Sequence, residues 1–164
     1  MITKNLIRTI LILSIIIINI GCDQVSKKIV RQTVYPYEMI HMLHNHLTVT
    51  RVENSGAFLS TGDSLPKSIK YIFLSLLPMI TIVLGLIYVF SKPVISNNML
   101  TGICFVIGGG VGNLVDRILY GSVTDFLHIN FGVFQTGIFN LADVSIMMGM
   151  FIILFQFFFK RNPD

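Results

Sequence analysis

The chain has 164 residues, 53% of them hydrophobic and only 12% charged, with 13 Phe, no Trp and a mean hydropathy of +0.76. That is too apolar for one soluble domain and too short for several, so a membrane protein is expected. The net charge of +4 comes from basic residues scattered at the ends of apolar segments and in one loop rather than in a stripe, which argues against nucleic acid and for anionic lipid headgroups.

Four apolar windows, 6–22, 69–90, 99–115 and 141–159, each have about the 17 to 25 residues that a bilayer-crossing helix needs. The first begins with "MITKNLIRTI" and ends in Gly21-Cys22, which imitates the signal segment of a bacterial lipoprotein. Asn19 and Ile20 stand where such a segment carries an aliphatic and then a small residue, and three more windows follow, so a retained helix is expected. Asp23 closes this span, with Lys27 four residues on as a helical neighbour.

The segment 24–68 reads as a loop carrying a small β element. "HLTVTRV", residues 46–52, is rich in β-branched residues and alternates Leu47, Val49 and Arg51 with Thr48, Thr50 and Val52. Around its start, His44 and His46 fall on one strand face at a spacing able to bind metal. No Cys or carboxylate follows closely and His128 is remote, so neither a metal nor another cofactor is expected. "TGDSLPKS", residues 61–68, reads as a turn opening the second span with Asp63 or Ser64 as its cap, and "SKPVISNN", 91–98, as the turn that follows it.

In the third span Gly108, Gly109, Gly110 and Gly112 admit a close neighbour, either another helix or a substrate backbone. Cys22 and Cys104 sit at depths too different for a disulfide, and free buried thiols are expected. Asp116 lies beside Arg117 with Asn113 one turn behind, Asp125 follows in the loop 116–138, and Asp143 opens the fourth span. An even number of spans puts both termini on one side and the two longer loops on the other; the density of Lys and Arg assigns the termini to the inside, and Tyr71, Tyr88 and Tyr120 fit interfacial anchors.

Asp23, Asp116, Asp125 and Asp143 thus converge on one membrane face, where ionisable groups usually face a protein interior or a wet cavity. Asp23 and Asp116 have basic neighbours and read as structural, whereas Asp125 and Asp143 have none in sequence. If the fold joins these two they share one proton, the arrangement that activates water against a peptide carbonyl and protonates the leaving amine. The other reading makes Asp143 a helix cap and Asp125 a turn cap. A small ion carrier fits less well, because the middle of every span is apolar, and a scaffold subunit leaves the two aspartates unexplained.

In chain order, "DQVSK" (23–27), "ENSGAF" (53–58), "GGGVGNLVDRILYGSVTDF" (108–126) and "FNLAD" (139–143) resemble the motifs of the bacterial lipoprotein signal peptidases, the membrane aspartic proteases also called signal peptidase II. The resemblance spans almost the whole chain and implies one mainly α membrane domain of four transmembrane helices with a small extracytoplasmic β element that cradles substrate. It implies Asp125 and Asp143 as the catalytic dyad, and Asp23, Lys27, Asn54, Gly56, Asn113, Asp116, Arg117, Asn140 and Ala142 as substrate contacts or site support. The three asparagines are read either as orienting substrate or dyad or as satisfying backbone groups. In the second motif Phe58 follows Ala57 directly, where many members have another small residue first. The implied reaction is cleavage of prolipoprotein signal peptides on the amino side of a diacylglyceryl-modified cysteine. The implied setting is a multi-pass monomer in the bacterial inner membrane with an extracytoplasmic site, whose partners are prolipoproteins and membrane lipids.

Overall fold

The computed structural model describes residues 2–57, 64–92 and 94–159. In order these form α1 (Ile2–Thr33), β1 (Met39–Met42), β2 (Leu47–Asn54), α2 (Lys67–Tyr71), a π-helical turn (Ile72–Leu76), α3 (Leu77–Ser91), α4 (Asn97–Tyr120), β3 (Val123–Phe131), β4 (Phe134–Gln135) and α5 (Leu141–Phe159). Four stretches are helical, long and apolar enough to cross a membrane: Leu6–Thr33, Lys67–Ser91, Asn97–Tyr120 and Leu141–Phe159. The antiparallel sheet runs in the order β1-β2-β3-β4.

Helix α4 is the centre of the bundle, packing against α1, α3 and α5. Its small residues set the spacing. A methyl group on Gly109 would collide with the Ala142 carbonyl, and one on Gly112 would come within 2.6 Å of an Asp23 carboxylate oxygen. The helix-packing role foreseen for these glycines is therefore present, with α1 and α5 as the close neighbours. At the end of the bundle near the termini, Ile12, Ile16, Val89, Cys104 and Ile107 form a buried apolar cluster. There Arg8 donates to the carbonyls of Val89 (2.8 Å) and Lys92 (2.7 Å), satisfying acceptors that the end of α3 leaves open.

Several boundaries differ from expectation. Helix α1 continues through Thr33, so residues 24–33 of the expected loop are helix; hydropathy marks where lipid contact ends, and nothing in "DQVSKKIVRQ" breaks a helix. Val30 and Val34 then pack on Phe126 with Val49, Leu127 and Leu141 around them, anchoring the sheet on the projecting end of α1. His44 and His46 lie in the turn between β1 and β2, where Leu43, His44 and Asn45 have φ of 50°, 56° and 70°, so they do not share a strand face. The second span starts after Pro66 with no side-chain cap, which excludes Ser64 from that role; Asp63, like Phe58, lies outside the described residues. The π-helical turn has a cause in Pro78, which lacks the N–H that would bond the Leu74 carbonyl and whose ring presses on that same group. Cys104 is buried as expected, whereas Cys22 is exposed on α1.

Candidate active site

Asp125 lies on β3, paired opposite Val52, and not in a loop as expected. The irregularity in the β2–β3 ladder between Val49 and Val52 falls beside it. Bulges of this kind re-aim side chains. Asp125 is 5% exposed, and each of its carboxyl oxygens accepts from an asparagine amide, Oδ2 from Asn54 Nδ2 at 2.9 Å and Oδ1 from Asn140 Nδ2 at 2.6 Å.

Asn140 and Asp143 start α5 by a reciprocal exchange. The Asp143 N–H donates to Asn140 Oδ1 (2.9 Å) and the Asn140 N–H donates to Asp143 Oδ2 (3.1 Å). This is the capping-box geometry, with Asn140 as the N-cap and Asp143 at the third helical position. The helix-cap reading of Asp143 is thus correct and does not compete with the shared-site reading. Asn140 spends its amide group on Asp125 and its amide oxygen on Asp143, so one side chain ties both aspartates together. The second Asp143 oxygen accepts from Asn113 Nδ2 at 2.8 Å.

Asp125, Asp143, Asn54, Asn113 and Arg117 line one polar cavity of about 60 Å³, closed by Ala57, Val123 and Ile138. Among the described residues no Lys or Arg is ion-paired with Asp125 or Asp143, although Arg117 borders the cavity. Burial, opposed in part by the Asn54 hydrogen bond and reinforced by the Asp143 charge, pushes the Asp125 carboxyl up to about 6.

Asn54 holds a tight turn after β2. It accepts from Gly56 N at 2.9 Å and donates to the Ala57 carbonyl at 3.0 Å, while Arg117 donates to the Gly56 carbonyl at 3.2 Å. Asn54, Gly56, Arg117 and Asp125 are therefore one connected group. Behind the cavity lies a second polar layer. Lys27 Nζ, fully buried, contacts Asp23 (2.8 Å) and Asp116 (3.3 Å) and donates to the side-chain Oδ1 of Asn113 (2.9 Å). Because Lys27 occupies that oxygen, the Asn113 amide N–H is turned toward Asp143. Asp23 also accepts from Ala142 N at 2.9 Å, filling an open donor in the first turn of α5. Every site residue expected from the sequence thus belongs to this two-layer constellation.

Three members were missed. Gln24 donates to Asp23 (3.2 Å), Asp116 (3.1 Å) and the Gly112 carbonyl (3.0 Å). Arg31 makes an ionic contact with Asp116 at 2.8 Å, donates to Thr124 Oγ1 at 2.8 Å and lies 4.1 Å from the Tyr120 ring centre. Thr124 N donates to Asp116 at 3.2 Å. Continuing the first helix beyond Asp23 would have exposed the signal, since Lys27 and Arg31 follow Asp23 at intervals of four on one helical face.

A family profile described as signal peptidase (SPase) II matches residues 15–159 of this chain. The lipoprotein signal peptidase of Desulforapulum autotrophicum is 30% identical over 164 residues, covering 99% of this chain and 98% of that protein. The lipoprotein signal peptidase of Clostridioides difficile is 33% identical over 149 residues, covering 90% and 95%. Among solved structures, a bacterial membrane enzyme superposes with a TM-score of 0.79 at 26% identity, covering 92% of this chain and 94% of that one.

Proposed function

The chain belongs to the signal peptidase II family, and from that premise we propose that it is an aspartic endopeptidase whose dyad is Asp125 and Asp143. Its substrates are prolipoproteins, cut on the amino side of the diacylglyceryl-modified cysteine. The observation that carries the reading is the common cavity: two aspartates border it, joined through Asn140 and with no ion-paired cation among the described residues.

Two carboxyls on one small cavity favour a state holding a single proton between them. Burial raises the proton affinity of the Asp125 carboxyl, to about 6, and in this proposal Asp125 serves as the acid of the pair and Asp143 as the base. In the reaction Asp143 removes a proton from water as the water oxygen attacks the scissile carbonyl carbon. The Asp125 proton meets the developing oxyanion. On collapse the C–N bond breaks as Asp143 passes the proton taken from water to the leaving amine of the cysteine, while the gem-diol hydroxyl returns a proton to Asp125 as the new carboxyl forms. Asn54 and Asn140 hold Asp125, and Asn113, turned by Lys27, holds Asp143. Positioning of this kind keeps the reacting groups aligned without movement at the moment of reaction.

The location follows from the same elements. A substrate with two acyl chains and an apolar signal helix stays in lipid and approaches from the side. The dyad lies where the helices meet the sheet, which supports a reading in which the bond is cut at the extracytoplasmic surface of the inner membrane, with the termini in the cytoplasm. The enzyme acts as a monomer, with membrane lipid as its solvent.

The test is to express Asp125→Asn and Asp143→Asn separately in cells lacking the activity. Diacylglyceryl-modified, uncleaved prolipoprotein is expected to accumulate in both. Full processing by both variants would overturn the proposal.

A further inference from the structure

Beside the catalytic cavity, where the second span begins, a recess of about 370 Å³ is bordered by Lys67, Lys70, Arg117, Tyr71, Ser55 and Ser75. Three cations and three hydroxyl groups converge there, and no carboxylate borders it among the described residues. Lys70 Nζ donates to Ser55 Oγ at 3.0 Å, and Arg117 reaches the Gly56 carbonyl next to it, so the basic side chains are held in place by the turn after β2. The depth in the membrane is fixed by neighbours. Ile72 and Phe73, farther along the apolar span, are 48% and 59% exposed, while Lys67 is exposed at the very start of that span and Ser64 is exposed ahead of it. The π-helical turn at Ile72–Leu76 contributes Leu74 and Ser75 to the floor of the recess, in keeping with the tendency of such turns to mark sites where a helix meets a ligand.

We infer that this recess binds the phosphate of an anionic phospholipid headgroup, with Lys67, Lys70 and Arg117 supplying charge and the hydroxyls of Ser55, Tyr71 and Ser75 supplying hydrogen bonds. The chemistry fits a phosphodiester, which offers only acceptors to a set of donors. The position fits a lipid, because acyl chains attached to a phosphate at this height descend along Ile72 and Phe73. Basic pockets between membrane helices at the headgroup level recognise acidic lipids by this combination. Arg117 borders both this recess and the catalytic cavity, so the lipid sits one side chain away from the dyad. The inference rests on the membrane placement of the second span and not on the chemistry assigned to Asp125 and Asp143.

The experiment is native mass spectrometry of the full chain in detergent with equimolar phosphatidylglycerol and phosphatidylcholine, reading the ratio of the two retained lipids. The wild type is expected to prefer phosphatidylglycerol by about thirtyfold, the scale of two interfacial lysines. Lys67→Gln/Lys70→Gln should bring the ratio near one, and Lys67→Arg/Lys70→Arg should keep it. Lys28→Gln, a basic residue on the exposed face of α1, should leave it unchanged. An unaltered ratio in the double Gln variant, or an equal drop in Lys28→Gln, would overturn the inference. Displacement of phosphatidylglycerol by millimolar inorganic phosphate would overturn the lipid as occupant in favour of a soluble anion. The same measurement on Asp125→Asn should match the wild type, which separates this inference from the protease assignment.

Discussion

Two groups of carboxylates lie back to back in this molecule and are held in opposite ways. Asp23 and Asp116 are fully buried against Lys27, with Arg31 on Asp116 as well. Among the described residues Asp125 and Asp143, a few side chains away, receive only amides and a main-chain N–H. A cation beside a carboxylate favours its charged form and takes it out of proton chemistry, whereas amides orient a carboxyl and leave a proton within its reach. The inner layer is ion-paired, and the outer layer is the one that exchanges a proton in the proposed reaction. Asn113 joins them, accepting from the lysine on one side and donating to Asp143 on the other.

The sharpest way to break this contrast is to neutralise each layer in turn. Asp143→Asn should lower cleavage by at least about 10³-fold, the scale of losing a general base, while the melting temperature stays within a few degrees of wild type. A variant that is folded and fully active would erase the distinction between the layers. Lys27→Met should act in the reverse sense. It strands two buried carboxylates, a loss of about 3 to 5 kcal/mol for a broken buried pair, visible first as a drop in thermal stability.

A smaller effect follows from pH. Because the folded Asp125 carboxyl is raised from 3.8 to about 6, the folded state binds the proton more tightly than the unfolded chain. Stability from this group is therefore full below about pH 4, falls as pH rises through 6 and is lowest above it, by up to about 3 kcal/mol. Melting curves from pH 4 to 7.5 should show this decline in the wild type and lack it in Asp125→Asn. The mildest change is Asn54→Ala. The Asn54 hydrogen bond favours the charged carboxyl, so its loss should move the alkaline limb of the pH–rate profile upward from about 6. A limb that moved downward would mean that Asn54 supports the protonated form.

The spans and both aspartates were legible in the sequence because each rests on a strong local signal: a long apolar run, or a carboxylate at its edge. Helix α5 has the expected bounds, Leu141–Phe159, since lipid contact and helix begin together at Asn140. Helix α1 does not, because its last turns leave the lipid but remain helical to pack against the sheet. Asp125 was read into a loop for a related reason. "VTDFLHIN" carries an apolar–polar alternation too broken to stand out, and its strand character comes from pairing with β2, a partner distant in sequence. The double duty of Asn140 depends on where the backbone places two donors and one acceptor, and no residue pattern encodes that distance.

Helix α1 has 32 residues, about 48 Å at 1.5 Å per residue, against a hydrocarbon core of about 30 Å. Its upper turns carry the sheet, and the sheet carries Asp125. The height of Asp125, a member of the proposed dyad, is thus set by a rigid rod and not by a loop, and the molecule carries its own ruler. In a thicker or thinner membrane the rod tilts before it shortens, so the catalytic step should track lipid chain length, fastest where the ruler and the slab agree.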